Sequence, residues 1–394
     1  MDTKTRKELI ELCKERNIRG VSNKSKDELV HLLSPAPPPA EPENTKVCRL
    51  NYIGSKFQLL DWITSHIAEK TGWQTLTNKR VADLFAGTGI VSHHFRNLGA
   101  SVISNDAELY SSVITHAFTC SSYSDACKSA LAALHAELNE NKHTGTVGYV
   151  TTHYSPHNGN ERKFFTIENA QRIDYIRQRL ETLKPSHTTN ENMFLLASLL
   201  ISADAVSNVP AVYGCYLKNF KAKALKPLTL QPIHARAALP TPHSSTHNSD
   251  VLNTAFLQSF NADIVYLDPP YNERQYSKNY FPLNIIAKTP AELTTAEPLK
   301  GKTGIPTDCF LSPFCRHGAT VENAFDTLFQ NLNTQWIFLS YNSESTVPKA
   351  KMIELMQKYG TVSVVERDYK RFKSFEYNED KAITEYLFCL HKSS

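Results

Sequence analysis

The chain has 394 residues, of which 41% are hydrophobic and 21% charged, and its 43 Lys and Arg against 39 Asp and Glu give a net charge of +4. This length provides material for two or three domains with sizeable cores, and the composition excludes a fibrous protein and a wholly disordered one. No run of 18 apolar residues occurs, which is against a transmembrane helix. The small basic excess is compatible with a polyanionic partner.

The cysteines and the first residues indicate the compartment. The eight cysteines contain no C-x-x-C pair, which favours reduced thiols over a disulfide framework or a zinc site. The start of the chain is charged and lacks an apolar run, so no signal peptide is predicted. We therefore expect a cytoplasmic or nucleoid-associated protein with no membrane contact and no metal.

Residues 1–33 predict a small helical module of their own. Apolar residues recur at helical spacing within 9–13 and again within 29–33, with basic residues on the other faces. Two such short helices predict a helix–turn–helix unit. Residues 34–45 contain five prolines and predict a semi-rigid linker. The main domain is then expected to span 46–394.

Strands and helices alternate from residue 46 onward. Apolar runs predict strands at 79–85, 100–106, 262–268 and 335–341, and a closing hairpin is predicted at 361–369 and 383–390. This alternation predicts an α/β domain with a Rossmann-like, doubly wound, mostly parallel sheet. The stretch of about 125–255 is rich in helical patterns and is interpreted as an insertion. It ends in a tract at 240–250, rich in Pro, His, Ser and Thr, which predicts a loop returning to the sheet.

A glycine-containing turn separates a predicted strand from a predicted helix in VADLFAGTGIVSHHF (81–95). Gly87 and Gly89 permit a tight turn and close approach of a ligand. The dinucleotide fingerprint is incomplete, because Ser92 occupies its third glycine position. Asp106 closes the next strand, where a carboxylate can bind both hydroxyls of a ribose. The pattern indicates a nucleotide-type cofactor, and a purely structural turn stays open for the glycines taken alone.

Asp268, Pro269, Pro270 and Tyr271 directly follow a predicted buried strand. Two successive prolines cannot supply ladder hydrogen bonds, so the chain must leave the sheet there in an extended conformation. The turn presents a carboxylate, a carbonyl and an aromatic ring close together. This combination suits the exocyclic amine of a base, because the two oxygens can accept its N–H groups while the ring stacks on the base.

These motifs and their order resemble the DNA adenine-N6 methyltransferases of the Dam-like and type II modification class (D12 class, alpha motif order). The resemblance rests on NYIGSKFQLLDWI (51–63), DLFAGTG (83–89) and DPPY (268–271), with an insertion where that family carries its target recognition region. Stretches such as RQYSKNYFPLNIIA (274–287) and LSPFC (311–315) are similar to a subgroup of these enzymes.

The resemblance implies S-adenosylmethionine as the cofactor and a metal-free reaction. The cofactor residues that it implies are Tyr52, Ser55, Lys56, Asp83, Phe85, Ala86, Gly87, Gly89 and Asp106. Within this set, Lys56 would face the methionine carboxylate and Asp106 would hold the ribose. Asp268, Pro269, Pro270 and Tyr271 would bind the flipped adenine and act on its amine. The family motif often has Gly-Gly-Lys where this chain has Gly54-Ser55-Lys56, which still permits the turn.

Within this family, basic residues near aromatic ones imply contacts with the phosphates of double-stranded DNA, whereas solvated surface is the alternative for the charge runs taken alone. They are Lys218, Lys221, Lys223, Lys226, Arg274, Lys370, Arg371 and Lys373. Residues 1–33 resemble SAP domains, which bind DNA. A protein-binding role and a merely solvated pair of helices are the alternatives for this module.

The sequence therefore predicts site-specific methylation of adenine N6 in duplex DNA, with a cognate restriction endonuclease as partner. Cytosine-N4 methylation is an alternative, although those enzymes more often carry Ser where Asp268 stands. A non-catalytic DNA-binding regulator is a second alternative, and it would be expected to have lost Asp268, Tyr271 or the glycines. A Rossmann dehydrogenase is disfavoured by Ser92 and by the two prolines. The recognition sequence is not predicted, because it depends on which side chains reach the base edges.

Overall fold

A computed structural model describes residues 5–15, 52–236, 243–294, 299–370 and 382–393, together with Val21, Ser25, Lys26, Leu29, Cys48 and Leu50. Within the N-terminal module it contains helix α1 (Arg6–Glu15) and buries Leu9 and Leu29. Most of the predicted second helix and the linker at 34–45 lie outside the described residues. The SAP-like module and the domain boundaries stay predictions.

The strands confirm the predicted α/β alternation. In chain order they are β1 (Arg80–Asp83), β2 (Ser101–Asn105), β3 (Ser245–His247), β4 (Ile264–Leu267), β5 (Leu299–Lys300), β6 (Ile305–Pro306), β7 (Trp336–Asn342), β8 (Gly360–Lys370) and β9 (Ala382–Lys392). Seven of them form one sheet in the spatial order β3-β2-β1-β4-β7-β9-β8, and β5 pairs with β6 in a separate hairpin. The first five strands of the sheet run parallel, whereas β9 pairs antiparallel with both β7 and β8.

Burial explains why the apolar runs become central strands. All four residues of β4 are buried, as expected for a strand that is covered on both faces. The predicted closing hairpin is present as β8 and β9, with Val364 opposite Phe388.

The tract at 240–250 departs from the prediction of a loop. Ser245–His247 forms the edge strand β3, which pairs in parallel with β2 through Ile103 and Ser245. The prediction of an uninterrupted loop was wrong here, because a half-exposed edge strand needs no apolar run.

Helices surround the sheet, and those predicted after residues 79–85 and 100–106 and within the insertion are present. After α1 they are α2 (Leu60–Thr71), α3 (Ile90–Asn97), α4 (Leu109–Thr119), α5 (Asp125–Asn139), α6 (Tyr149–Tyr154), α7 (Ile167–Leu183), α8 (Thr189–Ala205), α9 (Thr254–Gln258), α10 (Tyr276–Ala287), α11 (Pro290–Thr294), α12 (Ala319–Asn331) and α13 (Lys349–Gln357). Among the helices of the described ranges, none combines the length and the apolar character needed to cross a bilayer.

Both faces of the sheet are covered, which confirms the doubly wound fold. On one face α2 and α3 contribute Ile67 and Phe95, which pack in one cluster with Val102 of β2. On the other face α12 and α13 contribute Phe325 and Met352.

The insertion shares its hydrophobic core with helices of the main domain. Ile173 of α7 and Leu199 of α8 belong to the same buried cluster as Ile114 of α4 and Phe281 of α10. The guanidinium of Arg177 also donates from Nε to the carbonyls of Ile286 and Lys288, at 3.1 and 3.0 Å, at the end of α10. The insertion is therefore packed as part of the domain.

Candidate active site

A cavity of about 900 Å³, partly open to solvent, lies at the carboxyl edge of the parallel strands. Its walls include the loops that follow β1, β2 and β4. The chain runs outward from β1 through β2 to β3 and then returns to β4 on the other side of β1. Ligands of doubly wound sheets bind at such a change of direction, outside the carboxyl ends of the strands. The cavity is therefore the candidate active site.

The turn after β1 brings backbone close to the cavity. Gly87 has a φ of +54°, which residues with a side chain rarely adopt, and its N–H donates to Oδ2 of Asp106 at 2.7 Å. A Cβ atom at Gly87 would lie only 3.2 Å from Cε1 of Tyr52. Phe85 and Ala86 of the same turn also line the cavity. Because Gly87 has no side chain, space for a ligand remains between this turn and the ring of Tyr52.

Two carboxyl groups from the loop after β2 line the cavity. Oδ1 of Asp106 accepts the N–H of Glu108 at 2.9 Å, and burial raises the pKa of Asp106. Glu108 is buried and accepts a hydrogen bond from Nδ2 of Asn284 at 2.6 Å. Burial and the charge of Asp106 raise the pKa of Glu108 to about 8. Glu108 was not among the predicted site residues, although its position two residues after Asp106 was a usable signal.

The loop after β4 carries the predicted catalytic residues, and the half-buried Asp268 within it forms an ion pair with the buried Lys56. Oδ1 of Asp268 lies 3.0 Å from Nζ of Lys56, and Oε1 of Glu385 lies 3.9 Å from the same nitrogen. Burial raises the pKa of Asp268, and Lys56 opposes this shift. The Lys56 amine was expected to face a methionine carboxylate, whereas in the structure it lies against Asp268. Glu385 was missed, because no local pattern distinguishes it.

Tyrosines of α10 hold the segment that carries Lys56. The ring of Tyr52 stacks on Tyr280 with 4.7 Å between centroids and lies 5.3 Å from Tyr276. The hydroxyl of Tyr280 accepts the N–H of Ile53 at 3.0 Å, and the hydroxyl of Tyr276 donates to the carbonyl of Ile53 at 3.3 Å. Because α10 begins soon after the Asp268–Tyr271 loop, it fixes the two segments relative to each other.

A further wall of the cavity comes from residues 310–314. The side chain of Gln275 donates to the carbonyl of Ser312 at 3.1 Å and accepts its N–H at 2.8 Å. The ring of Phe314 packs edge-on against Phe85, with 5.2 Å between centroids. LSPFC (311–315) was predicted only to be a family-like stretch, with no role for its residues.

Most of the predicted site residues come together in the lining of the cavity. They are Tyr52, Ser55, Lys56, Phe85, Ala86, Gly87, Asp106, Asp268, Pro269, Pro270 and Tyr271.

Asp83 and Gly89 lie outside the lining of the cavity formed by the described residues, and their role as cofactor contacts stays a prediction. Oδ2 of Asp83 accepts a hydrogen bond from the hydroxyl of Ser92 at 2.6 Å, and the hydroxyl of Ser104 donates to Ser92 at 2.9 Å. Burial raises the pKa of Asp83 to about 7. Ser92, at the third glycine position of the incomplete fingerprint, therefore ties α3 to β1.

Gly89→Ala should destabilise the fold more than Gly72→Ala. Both glycines have left-handed backbones, with φ of +71° and +73°, which cost a residue with a Cβ about 1–2 kcal/mol. A Cβ at Gly89 would lie 2.9 Å from the Cα of Thr115, whereas nothing lies within 4 Å at Gly72. Overpacking should add roughly 1–3 kcal/mol at Gly89. Urea denaturation measures both variants, and equal losses would contradict close packing of this turn on α4.

The predicted DNA-contacting lysines divide into two groups. Lys218 and Lys226 are exposed. Lys221 and Lys223 are half-buried and donate to carbonyls of the insertion, Lys221 to Val209 and Lys223 to Asp204. Burial lowers the pKa of Lys221. These contacts give Lys221 and Lys223 a role in the internal structure of the insertion.

The other predicted DNA-contacting residues are Arg274, Lys370, Arg371 and Lys373. Arg274 is exposed and lies between the Asp268–Tyr271 loop and α10. Lys370 ends β8, and Arg371 and Lys373 lie outside the described residues. In the described part of the chain, no group of three or more His, Cys, Asp or Glu side chains is arranged to hold a metal ion.

Comparison with known families decides the identity of the chain. Residues 52–308 match the D12 class N6 adenine-specific DNA methyltransferases. The chain belongs to this family. The match begins at Tyr52 and includes the turn after β1 and the Asp268–Tyr271 loop. The wall at 310–314 and the hairpin of β8 and β9 lie beyond it.

Relatives of this methyltransferase include enzymes named as type II methyltransferases. Type II methyltransferase M.CviAII of Paramecium bursaria Chlorella virus 1 is 41% identical over 343 residues, which cover 87% of this chain and 98% of the relative. Type II methyltransferase M.NlaIII of Neisseria lactamica is 37% identical over 87% of this chain and 100% of its own length. Type II methyltransferase M.FokI of Planomicrobium okeanokoites is 33% identical, and the alignment covers 53% of it.

Proposed function

We propose that this methyltransferase transfers a methyl group from S-adenosylmethionine to N6 of adenine at a specific site in double-stranded DNA. One observation carries the proposal: the glycine turn, Asp106 and the Asp268–Tyr271 loop line a single cavity. A nucleotide-binding half and an amine-binding half therefore share one space, as direct transfer between two bound molecules requires.

The residues of the cavity fit S-adenosylmethionine. The Asp106 carboxylate is a partner for ribose hydroxyls, and the ring of Phe85 offers an apolar surface to a base. The bare backbone at Gly87 permits the close approach that a nucleoside needs. Tyr52 and Ser55 also line the cavity and are the proposed neighbours of the methionine part. When bound, S-adenosylmethionine would supply a methyl group attached to positively charged sulfur.

The loop after β4 supplies the groups that act on the adenine amine. The carboxylate of Asp268 and the carbonyl of Pro269 would accept its two N–H groups and stabilise the positive charge that develops on nitrogen. Tyr271, half-buried in the cavity wall, would stack on the flipped base and offset part of the cost of unstacking it. Lys56 keeps the carboxylate of Asp268 in a fixed place through the 3.0 Å ion pair.

Exposed cations support DNA as the substrate, and the names of the relatives support a role in restriction–modification. Arg274, Lys218 and Lys226 are exposed cations suited to phosphate contacts. Since M.CviAII and M.NlaIII are named type II methyltransferases, we propose that this chain is the modification enzyme of a restriction–modification system. A cognate endonuclease would then recognise the same site.

Nucleoside mass spectrometry tests the proposed function. The protein is incubated with duplex DNA and methyl-labelled S-adenosylmethionine, and the DNA is digested to nucleosides. Label is expected in N6-methyladenine. Label in N4-methylcytosine would overturn the assigned base, and label only in RNA would overturn the assigned substrate. Tight cofactor binding without transfer to any nucleic acid would favour a non-catalytic regulator.

A further inference from the structure

Lys56 lies between two carboxyl groups that come from distant parts of the chain. Asp268 follows the parallel strand β4, whereas Glu385 lies on the antiparallel strand β9. Their oxygens are 3.0 and 3.9 Å from the Lys56 nitrogen. Lys56 is 4% exposed and Glu385 is 7% exposed, whereas the side chain of Asp268 is 19% exposed, so bulk water screens the contact between Lys56 and Glu385 little.

The protonation states of Lys56, Asp268 and Glu385 depend on one another. Burial alone would lower the pKa of Lys56, but Asp268 and Glu385 outweigh it and raise the pKa above its usual value. The ammonium therefore stays charged. Burial raises the pKa of Glu385, and Lys56 opposes this shift. Among the described residues, Lys56 is the one cation within ion-pair distance of Glu385.

The neighbours of Glu385 in the sheet do not replace this contact. Glu385 is paired with Asn342 on β7 and with Arg367 on β8. The amide oxygen of Asn342 accepts hydrogen bonds from Glu344 and Ser345, at 3.0 and 3.1 Å. Arg367 is exposed, as expected near the outer edge of the sheet. The buried carboxyl group of Glu385 is thus directed to Lys56.

A cation beside Asp268 disfavours methyl transfer to an amine. The amine becomes positively charged as the new bond forms, and Lys56 by itself would cancel the charge of Asp268. With both carboxylates ionised, the three side chains carry a net charge of −1. Without Glu385 the remaining pair is neutral.

We propose that Glu385 is a positioning residue for methyl transfer: it shares the Lys56 ammonium with Asp268 and thereby keeps the cluster negative toward the amine. This role rests on the proposed function. Lys56 holds the Asp268 carboxylate in place, and Glu385 prevents Lys56 from neutralising it. A contact supplied by β9 thus supports the chemistry of the loop after β4.

Glu385→Gln tests this role because glutamine keeps the size of the side chain and removes its charge. We expect kcat to fall roughly 10- to 100-fold, less than the roughly 100- to 1000-fold for loss of a group that contacts the reacting atoms, because Glu385 acts through Lys56. The KM for duplex DNA and the affinity for S-adenosylmethionine should stay within about twofold. Glu366→Gln is the matched control, since Glu366 pairs with Lys349 at the surface of the same hairpin. Its kcat should equal that of the wild type.

A double variant separates the electrostatic role from a structural one. Once Lys56→Met has removed the cation, Glu385→Gln should reduce kcat much less than it does in the wild-type background. Full kcat in Glu385→Gln, or equal effects in both backgrounds, would overturn the proposal. Loss of cofactor affinity in parallel with kcat would also overturn it, because that result indicates a structural role. Failure of the wild type to form N6-methyladenine would instead overturn the proposed function.

Discussion

Asp268→Ala should reduce methylation by roughly a thousand-fold or more while leaving cofactor affinity nearly unchanged. The side chain is proposed to act on the adenine amine, and the proposed ribose contact, Asp106, comes from a different strand end. Single-turnover assays measure the methylation rate, and calorimetry measures the binding of S-adenosylmethionine. Equal losses of binding and rate would contradict this division of roles.

Two further variants keep the test of Asp268 informative. Removing Asp268 alone leaves the buried ammonium of Lys56 with a weaker set of partners, which costs stability. Asp268→Asn keeps an acceptor oxygen of the same shape, so its rate should exceed that of Asp268→Ala. Asp268→Ala combined with Lys56→Met removes both charges of the pair, and burial raises the pKa of the remaining Glu385 so that it can stay neutral. This variant should be folded and inactive. Activity in this double variant would exclude Asp268 as the residue that acts on the amine.

Asp106→Ala should weaken S-adenosylmethionine binding by about 1–3 kcal/mol, the range for losing hydrogen bonds to a charged group. The expected loss has two sources. The ribose loses its proposed partner, and the N–H groups of Gly87 and Glu108 lose the acceptor that holds their loops at 2.7 and 2.9 Å. Calorimetry on the folded variant gives the affinity directly.

A matched control for Asp106 lies at the opposite edge of the sheet. Asp263 also accepts a backbone N–H, that of Arg80 at 2.7 Å, but it precedes β4 instead of following a strand. Asp263→Ala should leave cofactor affinity unchanged. If Asp106→Ala binds the cofactor as tightly as the wild type, Asp106 has no part in the site.

The parts of the site that follow parallel strands could be predicted from the sequence. Gly87, Asp106 and Asp268 each come directly after an apolar run, and the carboxyl ends of parallel strands meet at one edge of a sheet. Glu385 could not be found in this way, since it lies on an antiparallel strand and reaches the site only through the spatial order of β4, β7 and β9. Its neighbours in the sequence carry no motif.

Side-chain direction was the second limit on prediction. Asp83 ends a strand beside the cavity, yet its carboxyl group faces Ser92 within the fold. Lys221 and Lys223 belong to a basic run, and the sequence does not reveal that their amines bind backbone carbonyls. Charge patterns give the residue type at a position, and only packing decides whether the group faces solvent, the cavity or the interior.

The shared core has a consequence for exchanging the insertion, the region that we expect to carry target recognition, between relatives. Helix α4 begins just after the Asp106 loop and α10 just after the Asp268–Tyr271 loop, and both pack into the cluster that contains Ile173 and Leu199. An insertion transferred alone would pack different side chains against both helices. The distance between the two loops would then change. Exchange of the insertion between relatives therefore requires that the facing surfaces of α4 and α10 be exchanged together with it.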